Sequence, residues 1–377
     1  MRADVLILGA GPAGVSTALG LLCQGISVAI VSSKGRVPGI PVDVLSPETK
    51  TEFAHLGIQA EAWSSLGVAC HGIDAAWGNA SPTSYSFLRN PYGDGIAVPR
   101  STLHPVLLQC ATDAGAHHSI ARFVGAEPTS TGWRVTSQAG EINEQIECRV
   151  LVDASGRASV VSRHMGARFR RFDSLCSVGA LLDGCKTDRI LSVTATQHGW
   201  WYSAPTPDGR TLVSFLSDAD VLRRLSATRP DVWLSLLRPV RRALSLGDLP
   251  RRPALEAYPC ESSTLEAMGT AWLAVGDAAA RFDPLSATGV LHAIRSGRTA
   301  AAAVASYLGG NSEALNDFAR GELDSFAAYL RGRRSQYGLE RRFSQHAFWA
   351  RRTADGRRFR ESEKTKKDKS MQQLGKD

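Results

Sequence analysis

Two short segments, far apart in the chain, hold the residues whose types and spacing best suit chemistry. The first is GAGPAG, Gly9 to Gly14, which follows an apolar run and opens a helical one. In such a turn Gly9 permits the tight bend, Gly11 lets a pyrophosphate approach the backbone, and Gly14 lets the helix pack closely on its strand. With Pro12 and Ala13 in the first helical turn, free N–H groups and a partial positive charge face the phosphates. The second is AWLAVGDAAARFDPLSATGVLHAIRSG, residues 271–297, in which Gly276 and Asp277 follow an apolar strand and Asp283–Pro284 and Gly289 come soon after. A carboxylate in that place can accept a charge-assisted bond from a sugar-like hydroxyl. The chemistry implied is that of a bound nucleotide cofactor rather than of a protein nucleophile.

The elements needed to position these segments are legible around them. Residues 3–8 read as a buried strand, Pro12–Gln24 as a helix and 27–33 as the next strand, which together make a βαβ unit. A nucleotide fold usually ends its second strand on a carboxylate for the ribose. Here Ser32 stands in that place, with Lys34 and Arg36 after it as alternative phosphate contacts. Helices are expected at about 46–56, at 101–114 after Arg100, from Ser286 to Leu308 and from Ser312 to Phe343. Alternating segments over 67–98 and 175–220 read as antiparallel strands, the latter with a hairpin turn at Pro207–Gly209. The strand at 271–275 completes the first sheet from near the end of the chain, so the strands between must form an inserted second sheet.

Composition narrows the class. Hydrophobic residues make up 43% and charged residues 21% of 377 residues, ordinary for a globular enzyme. No apolar run reaches the ~18 residues that a membrane span requires. Arg2 and the apolar run after it do not make a signal peptide, because Asp4 and the glycines interrupt it, so a cytoplasmic protein is expected. The seven cysteines are scattered without metal-ligand spacing, which predicts free thiols and no metal site. The net charge of +8 is concentrated at the end. From Arg331 onward there are fifteen Lys/Arg against six Asp/Glu, whereas the preceding residues hold twenty-nine against thirty. Residues 361–377 are predicted to be disordered. Three readings of this basic stretch stand in descending order: a solvated tail, a contact for an acidic partner protein, and nucleic-acid binding, which lacks any recognisable module. No nucleic-acid or membrane partner is therefore expected.

Three further motifs make the chain resemble the flavoprotein monooxygenase and flavin halogenase superfamily. They are Arg100 opening a helix in VPRSTLHPVLLQ, VLVDASGRASVVSRHMGA over residues 150–167, and the GDAA–FDPLS–TG form over 276–289. With GWWYSAP at 199–205 and Tyr337, Phe343 and FWARR (348–352), the pattern is most similar to the LodB/GoxB-type flavoproteins that mature cysteine tryptophylquinone enzymes. The resemblance implies an α/β fold: a glutathione-reductase-like FAD-binding Rossmann domain with an inserted mixed or antiparallel-sheet substrate domain and C-terminal helices. It places the FAD-binding domain at 1–65, 98–170 and 265–310. The substrate domain would be 66–97 and 171–264, and the C-terminal helical region 311–360.

The implied FAD contacts are Gly9, Gly11, Pro12, Ala13, Gly14, Ser32, Arg36, Arg100, Val124, Gly276, Asp277, Pro284, Gly289 and Val290, with Asp153 and Gly156 shaping the adjoining loop. Trp200, Trp201 and Tyr202 would form substrate-side walls, with His71 nearby. His71, Asp74, Asp283 and His292 are acid–base candidates, Asp283 foremost because it precedes Pro284. The implied activity is an FAD-dependent monooxygenase reaction with O2, hydroxylating a tryptophan of a precursor protein such as a quinoprotein oxidase. No second glycine-rich motif is present, so NAD(P)H would bind transiently or a partner reductase would supply electrons. Two alternatives remain: a halogenase, which needs a lysine where the chain aligns near Gly72, and a flavin-containing binding factor for the precursor without turnover. Oligomeric state is not legible.

Overall fold

The computed structural model describes residues 1–33, 40–57, 63, 65–183 and 189–353. Arg36, Lys34 and the expected basic tail lie outside the described residues. Among the described residues the strands form four sheets. The first is seven-stranded, in the order His117–Ile120, Val28–Ser32, Arg2–Leu8, Ile142–Asp153, Gly132–Ala139, Arg122–Thr129, with Trp272–Ala274 also on Ile142–Asp153. Arg2–Leu8 pairs in parallel with both Val28–Ser32 and Ile142–Asp153. The long strand Ile142–Asp153 does double service on its other side. Its first half pairs antiparallel with Gly132–Ala139, and its end, Leu151 to Asp153, pairs in parallel with Trp272 to Ala274. This register brings the ends of Leu8, Asp153 and Ala274 to one edge of the sheet, where a doubly wound fold binds its ligand.

The glycine-opened helix Pro12–Leu22 packs on one face of this sheet with helices Arg100–Asp113 and Gly289–Leu308. Val5, Ile7, Ile30, Val150, Val152 and Leu273 are fully buried there, as the continuous apolar runs of parallel strands require. Gly297 permits the close crossing of two helices, because a Cβ there would run into the Ala13 carbonyl. Helix Gly289–Leu308 starts three residues later than Ser286: Pro284–Ser286 forms a 3-10 turn, and Ala287 takes a left-handed φ of 50° that breaks the run. The last long helix spans Ala314–Leu339, ending short of Phe343 as the chain turns extended at Glu340.

The second seven-stranded sheet runs Glu256–Pro259, Leu175–Leu182, Thr211–Asp218, Gly199–Pro205, Ile190–Thr196, Gly72–Ala76, Thr83–Ser86. All its pairings are antiparallel except Ile190–Thr196 with Gly72–Ala76. The hairpin of Gly199–Pro205 and Thr211–Asp218 turns through Gly209 at φ 78°. Strands from the region 66–97 divide between this sheet and a three-stranded one, Val42–Leu45, Gly95–Pro99, Val68–Cys70. The second sheet is covered on both faces. Trp201, Phe215 and Val213 meet Trp233 and Leu237 of helix Pro230–Leu237 on one side. Trp200, Tyr202 and Leu216 meet Tyr337, Phe348 and Trp349 on the other. Among the described residues no helix is long and apolar enough to cross a membrane.

Candidate functional site

The turn at Gly9 to Gly14 is built for a close visitor. Gly9 has φ 120°, and a Cβ there would collide with the Ala154 carbonyl, so the strand end and the Asp153 loop are pressed together. A Cβ on Gly14 would meet the Gly9 carbonyl oxygen, which is the tight helix-to-strand packing its position demands. Gly11 differs: it has an ordinary extended backbone, φ −80° and ψ −179°, and nothing lies within 4 Å of where its Cβ would stand. Its backbone thus faces open space, at the N-cap of a helix with no side-chain cap. Such a terminus has free N–H groups and a partial positive charge for an anion.

The late loop comes to the same place. Gly276, at φ 56°, lies so close to the first helix that a Cβ would stand 2.8 Å from that of Ala13. Its N–H donates to Ser296 Oγ at 3.1 Å. Asp277 follows in a 3-10 turn and is half-buried. Pro284 opens the next turn, and Gly289 begins the twenty-residue helix with no side-chain cap and nothing within 4 Å of its Cβ direction. Val290 packs partly buried on the core beside it. Between the two segments sits the loop after Asp153. Asp153 is fully buried and accepts from Ser155 N–H and Oγ (3.1 and 2.6 Å) and from Ser162 N–H and Oγ (both 2.8 Å), so one carboxylate sets the whole turn.

Arg100 is joined to this edge through a partner the sequence did not offer. Its guanidinium forms a two-pronged pair with Asp43, Nε to Oδ2 at 2.8 Å and Nη2 to Oδ1 at 2.9 Å. Asp43 holds the Arg100 pKa above its ordinary value against the opposing effect of burial, and Asp277 and the Tyr202 hydroxyl act in the same direction as Asp43. Arg100 is therefore within electrostatic reach of both the late loop and the second sheet. Ser32 ends its strand with its hydroxyl 2.9 Å from His118 Nε2, so that the ribose side of the fold carries a Ser–His pair where a carboxylate is usual. Val124 is exposed on strand Arg122–Thr129.

Three expectations are corrected. Trp201 cannot wall a site shared with Trp200. Successive strand residues point to opposite faces, and Trp201 stacks on Phe215 at 4.7 Å and meets Trp233 at 5.1 Å in the other core. Trp200 is no open wall either. It is 2% exposed, packed edge-on to Trp77 at 6.3 Å, and its indole N–H donates to the Tyr337 hydroxyl at 3.0 Å. Asp283 is 1% exposed with both oxygens engaged. Oδ1 accepts from Leu285 N–H at 3.0 Å and Oδ2 from the Tyr337 hydroxyl at 2.8 Å. Burial pushes its pKa up, with Arg333 opposing. Asp283 thus caps the Pro284 turn and ties it to Trp200 through Tyr337, a positioning role rather than that of an open acid or base. His71 is exposed and paired with Asp94 at 3.0 Å, between strands Val68–Cys70 and Gly72–Ala76. His292 lies against the Phe282 ring at 4.3 Å.

The residues fit an FAD. An open glycine edge, two uncapped helix starts and a half-buried carboxylate converge where a dinucleotide needs phosphate donors and a ribityl acceptor. Residues 2–231 match the FAD binding domain family, more than half of the chain. The chain belongs to that family. It is 24% identical over 363 residues to a putative FAD-dependent oxidoreductase, LodB, of Marinomonas mediterranea, covering 93% of this chain and 97% of the relative. It is 26% identical to the menaquinone reductase of Mycobacterium tuberculosis, covering 79% of this chain and 76% of that one. Among solved structures, the chondrochloren halogenase CndH shares the fold at a TM-score of 0.82 and 20% identity, over 96% of this chain and 88% of that one. The peptidyl tryptophan dihydroxylase QhpG does so at 0.78 and 22%, over 93% and 79%. As a member of this FAD-binding monooxygenase and oxidoreductase family, the chain is a flavoenzyme, and it shares its fold with the halogenase and the hydroxylase.

Sequence reasoning missed Asp43, Trp77 and His118. None sits in a motif, and each gains its role only when strands distant in sequence pair.

Proposed function

We propose that the protein hydroxylates a tryptophan of a precursor protein during tryptophylquinone biogenesis, using reduced FAD and O2. The near-full-length likeness to LodB and the shared fold of QhpG support this reading. When bound and reduced, FAD supplies the electrons that activate O2 for transfer of an oxygen atom to an electron-rich indole. The chain's own residues do the rest. The backbone from Gly11 to Gly14 would hold the pyrophosphate, and Asp277 would accept from a ribityl hydroxyl. The uncapped start of helix Gly289–Leu308 would stabilise negative charge on the ring system. The Asp283–Tyr337–Trp200 chain of hydrogen bonds fixes the Pro284 turn against the second sheet. The packed aromatics behind it, Trp77 and Trp349 at 5.2 Å, exclude water from that side. Electrons come from NAD(P)H binding transiently or from a partner reductase.

One observation carries the choice of hydroxylation over halogenation. A halogenase needs a lysine to carry the oxidised halogen, and the chain aligns there near Gly72, in a segment, CHGIDAAW, that holds no lysine. At Gly72 itself a Cβ would stand 2.5 Å from the Tyr85 carbonyl oxygen, so a side chain there would push the paired strand aside. The sole lysine among the described residues, Lys50, is held by the Tyr92 carbonyl at 2.7 Å and lies over Trp63. The test is to reduce the FAD-loaded protein and follow its reoxidation by O2. Reoxidation coupled to oxygen gain on a precursor tryptophan supports the proposal. Bromide incorporated into a free aromatic points to the halogenase. Tight precursor binding without coupled oxidation points to a redox-silent maturation factor.

A further inference from the structure

A cleft of about 770 Å³ opens between the last long helix, the strand Phe169–Arg171 and the segment after helix Ala347–Ala350. Arginines at positions 170, 171, 331, 333, 334, 351 and 352 line it together with two carboxylates, Asp173 and Asp218, and Arg351 also pairs with Asp220 at 2.8 Å. The inner arginines are structural. Arg352 pairs with Asp218 at 2.5 Å and Arg333 with Asp173 at 2.9 Å, all four side chains at most 10% exposed. The rim differs. Arg170, Arg171 and Arg331 are exposed, and among the described residues no carboxylate pairs with any of them. Two half-buried apolar side chains also line it, Leu330 and Phe172, the latter with the Arg170 guanidinium over its ring at 5.3 Å. Tyr337 forms part of the floor, and its hydroxyl donates to Asp283 at the Pro284 turn.

We propose that this cleft docks an acidic segment of the protein substrate, one with apolar side chains interleaved among its carboxylates. This rests on the reading that the substrate is a protein. Several unpaired guanidiniums around one concavity attract a polyanion and speed its capture. The volume exceeds what one phosphate needs, and the Phe172 and Leu330 surfaces would give a bare phosphate nothing. The chain's own continuation is a poor occupant: residues 354–377 carry eight Lys/Arg against five Asp/Glu. The docked segment would lie on the far side of Tyr337 from the Pro284 turn, so that docking and the cofactor loop share one hydrogen-bonded chain.

The test uses the FAD-loaded full chain and a fluorescein-labelled peptide of alternating glutamate and leucine, followed by fluorescence anisotropy. The double charge reversal Arg170→Glu and Arg331→Glu changes only exposed rim residues, and its FAD content and Tm check that it folds. The acidic peptide should bind, and the double variant should weaken it about tenfold or more. Raising salt should weaken it as well. A lysine–leucine peptide should not bind, and inorganic pyrophosphate at equal concentration should not displace the probe. The proposal is overturned by an acidic peptide that does not bind, by equal binding to the reversed variant, or by a single-stranded oligonucleotide that binds more tightly than the peptide. Failure of the hydroxylation reading looks different: the peptide docks, yet no precursor is oxidised. If the reversed variant oxidises the precursor with unchanged KM, the docking claim falls while the activity stands.

Discussion

Replacing Gly11 with serine separates ligand space from fold. The site is an N-cap in extended conformation, φ −80° and ψ −179°, with no protein atom within 4 Å of the Cβ direction. Serine is among the best N-cap residues and glycine only middling, so Gly11→Ser should leave the cofactor-free protein as stable or a few tenths of a kcal/mol more stable. The same Oγ would enter the space assigned to the pyrophosphate and accept from the N–H groups that should serve it. Losing one or two charge-assisted bonds at about 1.5–3 kcal/mol each and part of a helix-end attraction of about 0.3–1 kcal/mol sums to roughly 2–7 kcal/mol. At about 1.4 kcal/mol per decade this weakens FAD by more than about thirtyfold. The assay is thermal unfolding without cofactor, then titration with FAD followed by quenching of flavin fluorescence. A serine variant that keeps wild-type FAD affinity would refute the assignment of this space. A serine variant that unfolds without cofactor would refute the structural reading of Gly11.

Other substitutions sort the remaining parts. Gly14→Ala should behave in the opposite way to Gly11→Ser, lowering cofactor-free stability by about 1–3 kcal/mol because its Cβ meets the Gly9 carbonyl, as thermal or urea unfolding would show. Trp201→Ala should cost about 3–5 kcal/mol of stability through the cavity left against Phe215 and Trp233, yet leave KM unchanged in the folded fraction. Asp218→Asn should destabilise by about 3–5 kcal/mol, because it leaves the buried Arg352 without its counter-charge. Burial alone would raise the Asp218 pKa, but Arg352 and Arg351 prevail and hold it below the ordinary 3.8. A depressed carboxylate pKa adds stability that is present above the unfolded value and lost as pH falls through the folded one. The wild-type Tm should therefore drop as pH is lowered below about 4, and the drop should be smaller in Asp218→Asn.

The Rossmann half of the molecule was legible because its determinants are local. Glycine spacing, a helix start and two apolar runs specify one strand–turn–helix unit, and the late GDAA segment repeats that logic. The hairpin at Gly209 was legible for the same reason. What escaped was everything set by pairing between distant strands. The period-2 alternation that separates Trp200 from Trp201 is present in the sequence, but the resemblance that makes both of them substrate-side walls does not use it; the structure puts a core on each side. Asp43 gains its role only because Val42–Leu45 lies beside Gly95–Pro99, which delivers it to Arg100. The start of helix Gly289–Leu308 was misplaced because Ala287 adopts a left-handed conformation that its residue type does not announce. The division of region 66–97 between two sheets has no compositional mark, since both parts alternate alike.

The central claim is that this fold holds FAD so that oxygen reaches a tryptophan within another polypeptide. The most direct measurement is tandem mass spectrometry of a quinoprotein precursor after incubation with the reduced, FAD-loaded protein under isotopically labelled O2. The account predicts labelled oxygen on a single tryptophan of the precursor, absent when Gly11→Ser replaces the wild type. A precursor that returns unlabelled, while the flavin is fully bound and reoxidises at the same rate without it, would contradict the account.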